Sequence, residues 1–188
     1  MKKNLLIAVV SAMCLFACAQ EPSKINLNPI VKMDANKVYQ QLNTKVSVYD
    51  LRKTAHVVEV LSANKPSVYI NANGSLSSVL NSQFSEQLMS QGLTLGEGDD
   101  LLLQFQVERA RTYVNQDVLD YRANTIIKLK VEAENAKQTL SKTYTLRATT
   151  RGALTADIDE LQRDFNQQLG KIIVQVMQDQ QLQQFIKG

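Results

Sequence analysis

The sequence contains few residues of the types that perform nucleophilic or metal chemistry. Its 188 residues include two cysteines, Cys14 and Cys18, and a single histidine, His56. A Ser-His-Asp hydrolase would have to use His56, but Ser75 follows Gly74 without the second glycine of a G-x-S-x-G elbow. A zinc site needs three or four His, Cys or carboxylate ligands, and the sequence shows no such cluster. We therefore predict no catalytic residue, no metal ligand and no cofactor, and we interpret His56 as a surface or strand-edge residue.

An acidic stretch, Gly96 to Asp100, offers the carboxylates of Glu97, Asp99 and Asp100. Carboxylates in a turn can bind calcium, but the spacing of an EF-hand loop and its twelfth-position acid are both missing. We interpret the stretch as a solvated acidic turn. Paired carboxylates for glycoside hydrolysis need only be close in space, so the sequence does not exclude an enzyme that acts on a glycan.

Arginines on or beside the predicted strands form a second candidate site: Arg109, Arg111, Arg122, Arg147 and Arg151. Guanidinium groups bind carboxylates and phosphates through paired hydrogen bonds, so arginines that share one sheet face would suit an anionic ligand. The competing interpretation, which the sequence favours, is that they are outer-face residues paired with Glu108, Glu132 and Glu134. Whether this face binds anything stays open at this point.

The N-terminal segment has the three-part pattern of a secretory signal. Lys2 and Lys3 give a positive start, an apolar stretch runs from Leu5 to Phe16, and small residues surround Cys18. A membrane-spanning helix needs about 20 apolar residues, and this stretch is shorter. We therefore predict a cleaved signal peptide over residues 1–17 in preference to a permanent membrane span.

The residues before Cys18, Leu15-Phe16-Ala17, resemble the bacterial lipobox. The resemblance implies that the Cys18 sulfur receives a diacylglyceryl group, that the chain is cleaved between Ala17 and Cys18, and that the new amino terminus is acylated by a fatty acid such as palmitate. Cys14 is a poorer candidate, because Met13 precedes it where a small residue is required. Since Cys14 leaves with the signal, the two cysteines do not form a disulfide in the mature chain.

The residue after Cys18 is Ala19. In the sorting pattern that this motif resembles, Asp at that position retains a lipoprotein in the inner membrane, and several acyl chains on one residue make attachment effectively permanent. We therefore predict a lipoprotein anchored through Cys18 in the outer membrane and facing the periplasm, with residues 18–28 as a polar tether. Ordinary signal cleavage, which leaves a soluble periplasmic protein, is the alternative.

The patterns behind Pro29 predict one globular domain over residues 29–188. Extended segments over 46–51, 57–61 and 67–70 precede an amphipathic helix that starts after the N-cap Ser75. A long strand from Leu101 and an antiparallel hairpin over 124–148 follow, each with one apolar face. A last helix starts at the N-cap Asp157, and a final short turn at 182–186 packs back. This order predicts an α+β fold: a single antiparallel or mixed sheet with two amphipathic helices packed on one face.

The charge balance limits the class of partner. Lys and Arg total 21 against 18 Asp and Glu, which is too even for nucleic-acid binding. We expect membrane lipid as a partner through the acylated Cys18, and the wet sheet face could also meet an envelope protein. The sequence indicates no oligomeric state.

Several segments together resemble the YajG family of bacterial lipoproteins. The resemblance is carried by Cys18, the helix "SLSSVLNSQFSEQLMSQGLTL", the strand "LLLQFQVERA", the hairpin entered through "YRANTIIKLKVEAENAKQTLSKTYTLRA" and the ending "DQQLQQFIKG". It implies an outer-membrane lipoprotein with one small domain and a non-catalytic role in binding or envelope assembly. It brings no catalytic residue, cofactor or ligand, so only the lipidation of Cys18 carries over. An enzyme or binding module acting on peptidoglycan or another envelope glycan is the alternative function.

Overall fold

The computed structural model describes residues 24–33, 37–39, 42–96 and 100–188. The predictions for the signal peptide, for Ala17, Cys18 and Ala19, and for Glu97 and Asp99 lie outside these ranges and stay predictions. The described residues form the following elements: strands β1 (Ile25–Asn26), β2 (Asn43–Asp50), β3 (His56–Ser62), β4 (Val68–Asn73), β5 (Thr94–Leu95), β6 (Leu101–Gln116), β7 (Asp120–Glu134) and β8 (Thr139–Ala153), and helices α1 (Leu76–Ser90), α2 (Ile158–Met177) and α3 (Gln180–Lys187).

Strand β6 is the centre of one mixed sheet of eight strands. Along one edge it pairs with β7, which pairs in turn with β8, and both pairings are antiparallel. The other edge is divided, because β2 runs parallel to the first half of β6 and β3 runs parallel to the second half. Beyond them, β5 pairs with β2, β4 pairs with β3, and β1 pairs with β4. The predicted α+β class and mixed sheet are confirmed.

The helices cover the apolar face of the sheet because their buried residues recur at helical spacing. In α1 these residues are Leu76, Leu80, Phe84 and Leu88. The ring of Phe84 stacks on that of Phe105 in β6, with centroids 3.9 Å apart. In α2 the equivalent stripe includes Leu161, Phe165, Leu169, Ile172 and Val176, all buried. Each helix thus buries one face against the same side of the sheet.

A third helix, α3, occupies the position where the sequence indicated only a short turn. Asp179 caps its start by accepting a hydrogen bond from the backbone N–H of Leu182 at 2.8 Å. The same carboxylate binds the Lys142 ammonium of β8, with N–O distances of 2.6 and 2.8 Å. Phe185 and Ile186 of this helix are buried. The described residues therefore form three helices, one more than the sequence predicted.

An N-terminal segment, residues 24–33, packs across α2 and is called the strap below. Ile25 is fully buried. The backbone N–H groups of Asn26 and Asn28 donate to the side-chain oxygens of Gln162 and Asn166, each at 2.7 Å, and the Asn166 amide donates to the Asn26 carbonyl at 2.8 Å. The last part of the predicted tether, residues 24–28, is therefore a component of the fold.

Gly170 of α2 makes this close packing possible. A Cβ atom at position 170 would lie 2.2 Å from the carbonyl oxygen of Ile30. Only a residue without a side chain lets the strap backbone cross the helix at this distance. The strap and the helix are thus fitted to each other at one position.

Candidate functional site

The outer face of the sheet, opposite the helices, carries the five arginines identified in the sequence. Strand register places Arg111 of β6, Ile126 of β7 and Arg147 of β8 in one row across the sheet. A second row contains Asn115, Arg122 and Arg151. Arg109 lies opposite Lys128, next to a bulge in β6 at Glu108. These five arginines share one face, as predicted, and are called the arginine face below.

The glutamates of this face pair with lysines, which corrects the predicted pairing with arginines. The Glu108 carboxylate lies 2.7 Å from the Lys128 ammonium, and that of Glu132 lies 2.6 Å from that of Lys130. For Glu108 the cause is the bulge, because the extra residue lets Glu108 and Arg109 both stand opposite Lys128, whereas Glu132 and Lys130 are two residues apart on the same strand. Nothing in the described ranges pairs an arginine with Glu108, Glu132 or Glu134.

Arg111 is the one member of the arginine face that has an acidic partner in the part of the chain that the structure describes. Its guanidinium lies 3.3 Å from the Glu59 carboxylate of β3 and 5.5 Å from the centre of the Tyr113 ring. It also donates a hydrogen bond to the Thr54 hydroxyl. These contacts hold Arg111 against the β2–β3 connection, so it is the least available of the five for a ligand.

Arg122 and Arg151 stand directly opposite each other on β7 and β8. Like charges at facing positions destabilise an antiparallel pair. Neither guanidinium has an ion-pair partner among residues 24–33, 37–39, 42–96 and 100–188. Both arginines line a recess of about 550 Å³, which Asp117 and Asp120 also line. Two exposed guanidinium groups therefore face solvent together with no neutralising contact.

The gap between β2 and β3 adds further basic residues that the sequence reading did not single out. A second recess, of about 380 Å³, is lined by Arg52, Lys53, Arg109 and Arg111 with Glu108. Arg52 itself is fixed, because it forms two 2.8 Å contacts with the Asp50 carboxylate. The sequence signal was the run "DLRKT", whose place beside β6 depends on the divided edge of that strand.

His56 begins β3 and packs at the start of that strand. Its Nε2 lies 3.7 Å from the Glu59 carboxylate and has no hydrogen-bond partner within the described residues. Its ring packs against Tyr69, with centroids 4.5 Å apart. Burial lowers the pKa of His56, and the Arg111 charge lowers that pKa further against the opposing effect of Glu59. The imidazole is therefore neutral at neutral pH and serves as a packing group at a strand edge, in agreement with the sequence interpretation.

Two negative observations concern only the described ranges. There is no group of three or more His, Cys, Asp or Glu side chains in them that could hold a metal ion. Similarly, none of their helices is long and apolar enough to cross a membrane.

The comparisons with known proteins define first a class and then a family. A family model described as "Uncharacterized lipoprotein" matches residues 29–187, which is nearly the whole of the predicted domain. The chain is thus a lipoprotein by family. It belongs to that uncharacterized lipoprotein family, the YajG family that the sequence resembled. No curated protein matches the chain.

Solved structures share the fold at low sequence identity. A Xanthomonas campestris protein of family DUF330 is 12% identical, with a TM-score of 0.53 over 82% of this chain and 92% of that one. A second structure, of an uncharacterized protein, is 13% identical, with a TM-score of 0.53 over 82% of this chain and 97% of that one. At such identities the likeness concerns the fold alone.

Proposed function

We propose that this protein is a non-catalytic lipoprotein of the outer membrane, anchored through acylated Cys18 and facing the periplasm, whose arginine face binds an anionic envelope glycan. The ligand class is one that presents carboxylates, as the peptide stems of peptidoglycan do. The anchoring part depends on the lipobox and on Ala19. The binding part depends on the arginine face.

The observation that carries the binding role is the facing pair Arg122 and Arg151. The fold gains nothing from two like charges in register, and neither guanidinium forms an ion pair in the described chain, although Asp117 and Asp120 line the same recess. A carboxylate placed between the two guanidinium groups would accept charge-assisted hydrogen bonds from both. The long, mostly polar outer face of β6 to β8 also suits an extended polymer better than a small molecule.

Co-sedimentation of the purified protein with isolated peptidoglycan sacculi tests the binding role. The variant carrying both Arg122→Gln and Arg151→Gln should lose most of the bound fraction. Lys137→Gln, which removes one cation from the exposed turn between β7 and β8, is the matched control and should bind as the unaltered protein does. Equal binding by all three proteins would contradict the proposal.

Stability measurements separate binding from folding in the same variants. Because each substitution removes one of two facing like charges, the double variant should unfold at an equal or higher urea concentration than the unaltered protein. A binding loss that accompanies lower stability would point to structural damage and not to a lost contact.

Two further measurements test the remaining parts of the proposal. Mass spectrometry of the sacculi should reveal no cleavage product after incubation, and a product would favour the alternative, an enzyme that acts on the glycan. Incorporation of labelled fatty acid should disappear in Cys18→Ala, and its persistence would contradict anchoring at Cys18. Crosslinking in cells would show a protein partner in place of a glycan.

A further inference from the structure

One end of the sheet exposes apolar side chains that the fold does not use. Val118 and Leu119 occupy the turn between β6 and β7, with 86% and 75% of their surface exposed. Leu154 follows β8 beside that turn and is 65% exposed. These three residues are called the apolar end below. Hairpin turns usually carry Gly, Asn or Asp, so two large apolar residues there are unexpected.

The backbone of Leu154 makes the choice of residue more unusual. Its φ of 62° lies in the left-handed region, which favours Gly or Asn and disfavours a leucine. The conformation is held by a 2.8 Å hydrogen bond from its N–H to the Leu119 carbonyl and by another of 2.8 Å from the Gln116 side chain to its own carbonyl. A leucine thus occupies a position where the backbone would be more stable with glycine.

The direction of β1 relates this end to the N-terminus. β1 runs parallel to β4, with Ile25 beside Ala72. The chain that precedes Ile25 therefore starts out toward the N-terminal end of β4, at Val68. The neighbouring strand β3 ends at Ser62, which pairs with Gln116 of β6. The N-terminus of β1 therefore points toward the same end of the sheet as the apolar end.

The length of the preceding chain limits which end of the domain can reach a membrane. Strand register places Ile25 about level with Ala110 of β6. Gln116 is six residues further along the strand, or about 20 Å, and Leu101 is nine residues away in the opposite direction, or about 30 Å. Cys18 precedes Ile25 by seven residues, which span at most about 23 Å. Cys18 can thus reach the level of the apolar end but not the opposite end.

From these observations we propose that the apolar end is the membrane-facing end of the domain. Val118, Leu119 and Leu154 insert into the interface of the phospholipid leaflet that holds the acyl chains of Cys18. The inference rests on the proposed anchoring at Cys18, and its test on vesicles does not involve glycan binding. The nearby charges are mixed, since Arg122 and Arg151 are accompanied by Asp117 and Asp120. Apolar contact and the short connection therefore hold the end in place, and added salt should not release it.

Fluorescence of an introduced tryptophan tests the inference, because the chain contains no Trp of its own. Val118→Trp places the only indole in the apolar end. Lys137→Trp, the matched control, places it in the exposed turn between β7 and β8 at the opposite end of the sheet. Each full-length lipoprotein is acylated in cells, purified and reconstituted into phospholipid vesicles whose acyl chains carry bromine. Insertion of about 5–10 Å should quench the Val118→Trp emission at least about twofold and shift it to the blue, and leave Lys137→Trp unchanged.

Vesicle flotation and the mass of the N-terminal peptide are measured on the same samples, so that anchoring and docking are judged separately. If the protein is acylated and floats but Val118→Trp is not quenched, docking is wrong and anchoring stands. A blue shift without quenching would mean that a second protein copy covers the end, which also overturns docking. Quenching of Lys137→Trp would mean that the opposite end faces the bilayer. If Cys18 carries no lipid, both proposals are wrong.

Discussion

Replacing Gly170 by alanine should separate the strap from α2. Alanine in a helix interior is more stable than glycine by about 1 kcal/mol, which alone would stabilise the protein. The added Cβ, however, would lie 2.2 Å from the Ile30 carbonyl oxygen, so the strap backbone must move away. That movement exposes Ile25, whose burial stabilises by about 1.5–3 kcal/mol. It also breaks three hydrogen bonds to Gln162 and Asn166 at about 1 kcal/mol each.

The expected net loss in the free energy of unfolding is therefore about 3 kcal/mol, allowing for partial relaxation of the strap. Urea unfolding gives this value, and amide hydrogen exchange should show faster exchange at Asn26 and Asn28. The matched control is Gly96→Ala, because a Cβ at position 96 meets no atom of the described residues within 4 Å. A Gly170→Ala protein that is more stable by about 1 kcal/mol, with the two strap amides still protected, would refute the reasoning.

Three further substitutions test other contacts. Burial raises the pKa of Asp179, but hydrogen bonds from Lys142 and from backbone N–H groups lower it more, so the net pKa is below 3.8. The Asp179 carboxylate therefore stabilises the folded state fully above pH 3.8, and this contribution to the free energy of unfolding is lost as the pH falls through the folded-state pKa. In urea unfolding at a series of acidic pH values, the Asp179→Asn protein should lose less stability on acidification than the unaltered protein does. Leu154→Gly should raise the free energy of unfolding by about 0.5–1 kcal/mol, because it removes a side chain from a left-handed backbone position; an unchanged or lower urea midpoint would contradict this. Gly152→Ala should lower that free energy by about 1–3 kcal/mol, because the new Cβ would lie 2.3 Å from the Tyr121 ring, and a thermal midpoint equal to that of the unaltered protein would exclude the clash.

Periodicity predicted the elements whose own residues decide their structure. The apolar spacing in α1 and the alternation in β7 and β8 identified these elements because each buries one face against the core. β1 was missed, since two residues in a polar segment carry no periodic signal and their partners lie far along the chain. α3 also carries local signals, because Asp179 is its N-cap and Leu182, Phe185 and Ile186 are its buried residues, but the contact of Asp179 with Lys142 joins residues that are distant in sequence.

The sequence could predict which face of the sheet carries most of the arginines, but not which charged residues lie next to each of them. Alternation along β7 and β8 is enough to place Arg122 and Arg147 on the outer side of the sheet, but in β6 the bulge reverses the alternation set by Leu101 to Val107, so the position of Arg111 depends on it. Which acid meets which base depends on the register between strands, and the bulge at Glu108 changes that register by one residue. The facing of Arg122 and Arg151 likewise follows only from the pairing of β7 with β8.

The strap has a mechanical consequence. With Cys18 acylated as proposed, tension between the membrane and the domain is applied to Ile25 along the direction of β1. The hydrogen bonds between β1 and β4 run across that direction, so the load shears them together and does not open them one at a time. Asn166 joins the strap to α2 through two hydrogen bonds, and thereby passes part of the load to the longest helix described. Under the proposed anchoring at Cys18, the load would therefore reach the core of the domain directly.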